Sequence, residues 1–124
     1  MKRKSQFFLK DILEAIGDIE TFVINMNYQE FSLDKKTSAA VVHKLEIIGE
    51  ATKNLPRSIR LRGPDVPWQE MAGMRDKIAH FYFGVDYEIV WNVVKQQLPH
   101  LRPILQRMLN DLEGGSSVQS PPES

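Results

Sequence analysis

Residues 8–26 read FLKDILEAIGDIETFVINM. Phe8, Ile12, Ile16, Ile19, Val23 and Met26 recur there at steps of three and four, which puts them on one stripe of an α-helix. Asn25, Asn27 and the stretch Tyr28-Gln29-Glu30 end the pattern. Ser32 or Asp34 is then placed to cap a second helix. In that helix Val41, Leu45, Ile48, Thr52 and Leu55 again step by four and three, while Lys44, Glu46, Glu50 and Lys53 fall mainly off the stripe. Pro56 stops it.

Residues 56–66 read as a connection, with room for one helical turn over Ser58 to Leu61 and a turn at Gly63-Pro64-Asp65. Pro67 suits the first position of a third helix, where a missing N–H costs nothing, and Gly84 ends that helix. Trp68, Met71, Ala72 and Ile78 form its apolar side. Asp86 is placed to cap the last long element, with Glu88 favourable in its first turn. Val90, Val94, Gln97, Leu101, Ile104 and Met108 continue the stripe, and Pro99 and Pro103 should kink or split it near Leu98. Phe81-Tyr82-Phe83 is the only β-like run and is too short for a strand. The expectation is an all-α, up-and-down bundle of four main helices, the last kinked or split at Pro99. Residues 1–112 would form the domain, and 113–124, which read GGSSVQSPPES from Gly114, a disordered tail.

Composition narrows the function. Lys and Arg number 16, Asp and Glu 16, so the net charge is zero and RNA contact would have to come from a local patch. The absence of cysteine excludes disulfides, thiolate chemistry and Cys-based zinc sites. Met1-Lys2-Arg3-Lys4 is basic, but Gln6, Lys10, Asp11 and Glu14 interrupt any signal-peptide core. No apolar run reaches the roughly 18 residues of a membrane span. A soluble cytoplasmic protein is expected.

One segment concentrates chemistry: Met74-Arg75-Asp76-Lys77-Ile78-Ala79-His80-Phe81-Tyr82-Phe83. On a helix, Asp76 and His80 share a face, so the carboxylate can fix the imidazole's tautomer. Arg75 and His80 would be separated by roughly 7.5 Å of rise and about 140° of rotation, enough to border one cleft without stacking. Cleaving RNA through its own 2′-hydroxyl needs a proton removed, phosphate charge stabilised and a proton returned to the leaving oxygen. Histidine titrates near neutrality and can do the first and last; arginine offers a planar fork to phosphate. No metal or other cofactor is required. A single Arg and His make a sparse site, and a twofold axis would double it. The plain alternative is that His80 packs at an interface, Arg75 and Asp76 are surface charges, and Tyr82 is ordinary packing.

Arg75-x4-His80-x-Tyr82 resembles the signature of the HepT-like proteins, a minimal branch of the HEPN superfamily. The blocks around it agree: Lys44-Leu45-Glu46-Ile47-Ile48-Gly49-Glu50-Ala51, Pro67-Trp68, Met71-Ala72-Gly73-Met74-Arg75-Asp76, Tyr82-Phe83-Gly84-Val85-Asp86-Tyr87 and Leu98-Pro99. The similarity runs from about residue 5 to about residue 110. It implies an all-α homodimer with paired motifs across the interface. It also implies a metal-independent endoribonuclease, the toxin of a type VII toxin–antitoxin pair. The implied partner is an MNT-type minimal nucleotidyltransferase that neutralises the toxin by transferring AMP to a tyrosine, which by position is Tyr82. Arg75 would engage the phosphate, His80 would move protons, and Asp76 matches a supporting polar position. A non-catalytic dimeric binding partner of a nucleotidyltransferase is the alternative.

Other residues carry weaker signals. His43 reads as a partly exposed helix residue and His100 as solvent-facing, and three scattered histidines do not make a metal site. Glu46 and Glu50 read as surface partners of Lys44 or Lys53. Lys2-Arg3-Lys4 and the trio Arg57, Arg60 and Arg62 are solvated loops or phosphate contacts. Trp68 and Trp91 read as core or interface anchors.

Overall fold

The structure, a computed structural model, describes residues 4–74, 76 and 86–115. Among these residues every regular element is helical: α1 (Ser5–Phe22), α2 (Tyr28–Leu33), α3 (Lys35–Lys53), α4 (Arg57–Arg60), α5 (Trp68–Ala72), α6 (Tyr87–Asn92) and α7 (Leu98–Asn110). A π-helical turn at Val93–Gln97 joins α6 to α7, and a second, Asp111–Gly115, follows α7. The fold is the expected all-α bundle. No helix among the described residues is long and apolar enough to cross a membrane.

The two long helices form as their stripes require. α1 buries Leu9, Ile12, Ala15, Ile16 and Ile19, and Val23 just beyond it is also buried, while Phe8 and Met26 pack half-buried against this core. The helix stops at Phe22, short of Met26; the chain turns there with Asn25 at φ 62°, a left-handed conformation that asparagine tolerates. α3 buries Val41, Leu45, Ile48 and Thr52 of its stripe, and Leu55, just beyond it, is also buried. The buried Thr52 hydroxyl donates to Ile48 O at 2.7 Å, so no polar group is stranded.

α1 packs mainly against α3 and α7, and α3 also holds α5. Ion pairs lace the outside: Lys44–Asp18 at 2.9 Å joins α3 to α1. Lys10–Glu113 at 2.8 Å and Arg102–Glu20 join α1 to the C-terminal segment. Residue 10 meets 113 while residue 20 meets 102, so α1 and α7 run antiparallel.

Several features refine the sequence reading. Of its two cap candidates, Asp34 caps α3. Residues 28–33 form a short helix closed by a capping box, in which Glu30 N–H donates to Asn27 at 2.8 Å and Asn27 N–H donates to Glu30 at 2.9 Å. The helix expected from Pro67 is interrupted at Gly73: α5 ends at Ala72, and Met74 and Asp76 are helical again. The split near Pro99 is a π-turn, in which Leu98 N–H bonds Val93 O, five residues back. Pro99 has no N–H to return to Lys95 O, so the α-pattern could not run through this point unbroken. Leu98 lies in the core and Gln97 is exposed. Helical structure continues through Gly115, past the expected start of the tail at 113; residues 116–124 lie outside the described residues.

Candidate active site

Two anchored points frame the segment that holds the candidate residues. The first is α5. Trp68 is buried, and its indole N–H donates to both Arg60 O and Gly63 O at 2.9 Å. This ties the start of α5 to the preceding loop. Met71 and Met74 are buried in the shared core, at 2% and 4% exposure. The backbone is therefore fixed up to the residue immediately before Arg75. Asp76 is helical and exposed.

The second anchor is the start of α6. Asp86 accepts hydrogen bonds from the N–H groups of Glu88 at 3.0 Å and Ile89 at 3.3 Å, the expected cap. Tyr87 packs edge-on against buried Phe31, with ring centroids 6.0 Å apart. Trp91 lies 5.0 Å from Phe31 and 6.3 Å from Tyr28. This aromatic cluster fixes α6 to α2. Partial desolvation, then the charges of Glu88 and Asp86, hold the Tyr28 phenol above its ordinary value.

Arg75, His80 and Tyr82 lie outside the described residues, as do Lys77 and Ile78. Among the predicted site residues, the structure places Asp76 alone. It also sorts the secondary candidates. His43 and His100 are exposed. Lys44 pairs with Asp18 on the neighbouring helix and not with Glu46 or Glu50. Arg60 is committed to structure, its Nε donating to Leu55 O at 3.0 Å, while Arg57 and Arg62 are exposed. Trp68 and Trp91 are packing residues, as expected. Among the described residues no three His, Asp or Glu side chains gather as a metal site.

The sequence reading missed one concavity. Pro67, Glu70, Gln96, Gln97, His100 and Leu101 line a cavity of about 330 Å³ between α5 and the π-turn. Gln97 stands on the sequence stripe, and spacing alone does not show that it faces α5 and not the core.

Residues 12–108 match the family described as Ribonuclease HepT-like, a span that encloses Arg75, His80 and Tyr82. "Putative RNase MJ1216" of Methanocaldococcus jannaschii is 47% identical over 113 residues, 91% of this chain and 93% of its own length. "Probable ribonuclease HepT" of Thermococcus cleftensis is 46% identical over 108 residues, 87% of this chain and 98% of its own. "Putative RNase TTE0752" of Caldanaerobacter subterraneus subsp. tengcongensis is 40% identical over 102 residues, 82% and 91% of the two chains. No solved structure matches this chain. With the family match spanning most of the helical core and near-full-length relatives at this identity, the chain belongs to the HepT-like ribonuclease family.

Proposed function

We propose that this member of the ribonuclease family cuts RNA internally and without a metal, as the toxin of a type VII toxin–antitoxin pair. It works as a homodimer and is silenced when an MNT-type nucleotidyltransferase transfers AMP to Tyr82. One observation carries the reading: the family match from 12 to 108 runs through Arg75-x4-His80-x-Tyr82. Buried Met74 and the Asp86 cap, which bracket the motif, give that segment firm ends.

In the proposed reaction His80 takes the proton of a ribose 2′-hydroxyl. The 2′-oxygen forms a bond to phosphorus as the bond from phosphorus to the 5′-oxygen breaks, and the leaving oxygen gains a proton. The products are a 2′,3′-cyclic phosphate and a 5′-hydroxyl. Arg75 neutralises the charge that builds on the phosphate, and Asp76 holds the imidazole's orientation. AMP on Tyr82 adds a phosphodiester charge and bulk beside Arg75, which excludes RNA.

Purified protein incubated with RNA in EDTA tests the reading. Cleavage is expected, and His80→Ala should reduce it at least about 100-fold with helix content intact. After incubation with the partner enzyme and ATP, mass spectrometry should find AMP on Tyr82 and cleavage should stop; an adduct confined to other residues would refute the silencing step. A well-folded protein that cuts no RNA, and whose effect on growth is untouched by His80→Ala, would instead be a non-catalytic binding partner of the nucleotidyltransferase.

A further inference from the structure

The π-turn that precedes the last helix also borders the cavity beside α5. In a regular α-helix Gln97 and Leu98 flank the Val94–Leu101 stripe on opposite sides. Here Leu98 fills the core position at 0% exposure, and Gln96 and Gln97 point outward to line the cavity. π-turns are rare and cluster at functional positions. Both glutamines are exposed and border the cavity.

The lining has a definite chemical character. Buried Leu101 and half-buried Pro67 give an apolar floor. The rim carries Glu70, Gln96, Gln97 and His100, all exposed. The carboxylate accepts hydrogen bonds, each carboxamide both donates and accepts, and a neutral imidazole does both. A volume of about 330 Å³ is at the small end of ligand cavities and suits one ring system. Among the described residues no lysine or arginine lines it, and Glu70 would repel a phosphate, so the described lining favours a base over the nucleic-acid backbone.

We infer that this cavity takes one unstacked base of the RNA strand, held face-on by Pro67 and Leu101 and edge-on by Glu70, Gln96, Gln97 and His100. An apolar surface for the ring and polar groups for its edge are how unpaired RNA bases are read. The inference rests on RNA being the substrate. Pro67 precedes α5 and Glu70 lies within it, so the cavity borders the helix that precedes the candidate cleavage segment in sequence.

The test uses probes that cannot be cut. Fluorescein-labelled 2′-O-methyl tetramers UAAU, UCCU, UGGU and UUUU, and one with two central abasic sites, are titrated by anisotropy against the full chain. The best base-bearing tetramer should bind about tenfold tighter than the abasic one. Gln96→Ala combined with Gln97→Ala should bring that ratio within about twofold, with helix content and Tm unchanged because both residues are exposed. Glu70→Gln should change which base is preferred. Equal binding of the abasic tetramer, no binding of any tetramer, or a full ratio in the doubly substituted protein would overturn the inference. Binding is read without cleavage, so the two readings fail separately. A protein that shows base-dependent binding but never cuts ordinary RNA loses the ribonuclease mechanism. One that cuts RNA but ignores the bases loses the base site.

Discussion

Asp34 shows how much one side chain settles. Its carboxylate accepts from Thr37 N–H at 3.0 Å and from the Thr37 hydroxyl at 2.8 Å, and so starts α3. The backbone N–H of Thr37, then its hydroxyl, holds the Asp34 carboxyl below its ordinary value of 3.8. A depressed folded-state value means the stabilisation is complete above 3.8 and is lost as pH falls through the lower folded-state value. Asp34→Ala should therefore lower Tm at neutral pH, and its gap from the wild type should narrow below 3.8. Asp34→Asn keeps an acceptor without the titrating charge, and should flatten that dependence. Thermal melts followed by circular dichroism from neutrality to strong acid check both; a gap that stays constant throughout would show that the carboxylate charge does not cap α3. The sequence offered Ser32 and Asp34 as equal candidates, because cap preference alone cannot tell which residue the turn places at the helix start.

Whether an element was legible depended on whether its period stayed constant. The stripes of α1 and α3 could be read because 3.6-residue periodicity runs through each, and the structure buries the residues those stripes named, apart from half-buried Phe8 and Met26. The short α2 was passed over, although Asn27-x-x-Glu30 is a capping-box spacing; two turns are too few to show a stripe. The register shift at Val93–Gln97 leaves no periodic trace, and Pro99 signals a break without saying which way the following residues turn. The shift makes a sharp mutational contrast. Leu98→Ala removes a fully buried side chain and should cost about 2–5 kcal/mol in urea denaturation. Gln97→Ala, one residue away and exposed, should change stability by less than about 0.5 kcal/mol. The reverse order would show that Gln97, not Leu98, faces the core.

For the whole molecule, the candidate site was legible through the resemblance more than through spacing. Arg75, His80 and Tyr82 form a short pattern, and it gains meaning from the blocks around it and from the family match over 12–108. Spacing could not show how the segment is held, because the burial of Met74 and the docking of Tyr87 on Phe31 depend on residues distant in sequence. The proposed dimer makes a prediction at this scale. If each cleft takes Arg75 from one subunit and His80 from the other, mixing the two inactive variants Arg75→Ala and His80→Ala under exchange should restore about a quarter of wild-type cleavage. If both groups come from one subunit, the mixture stays inactive. The surroundings of the two tryptophans have a practical consequence as well. Trp68 is sealed in the interior with its N–H fully engaged, whereas Trp91 is half-buried under the Lys95 ammonium, 5.3 Å from its ring. Their emission spectra should differ, so a chain carrying Trp91→Phe holds a single fluorophore a few residues ahead of Arg75, an optical gauge of that region that needs no added label.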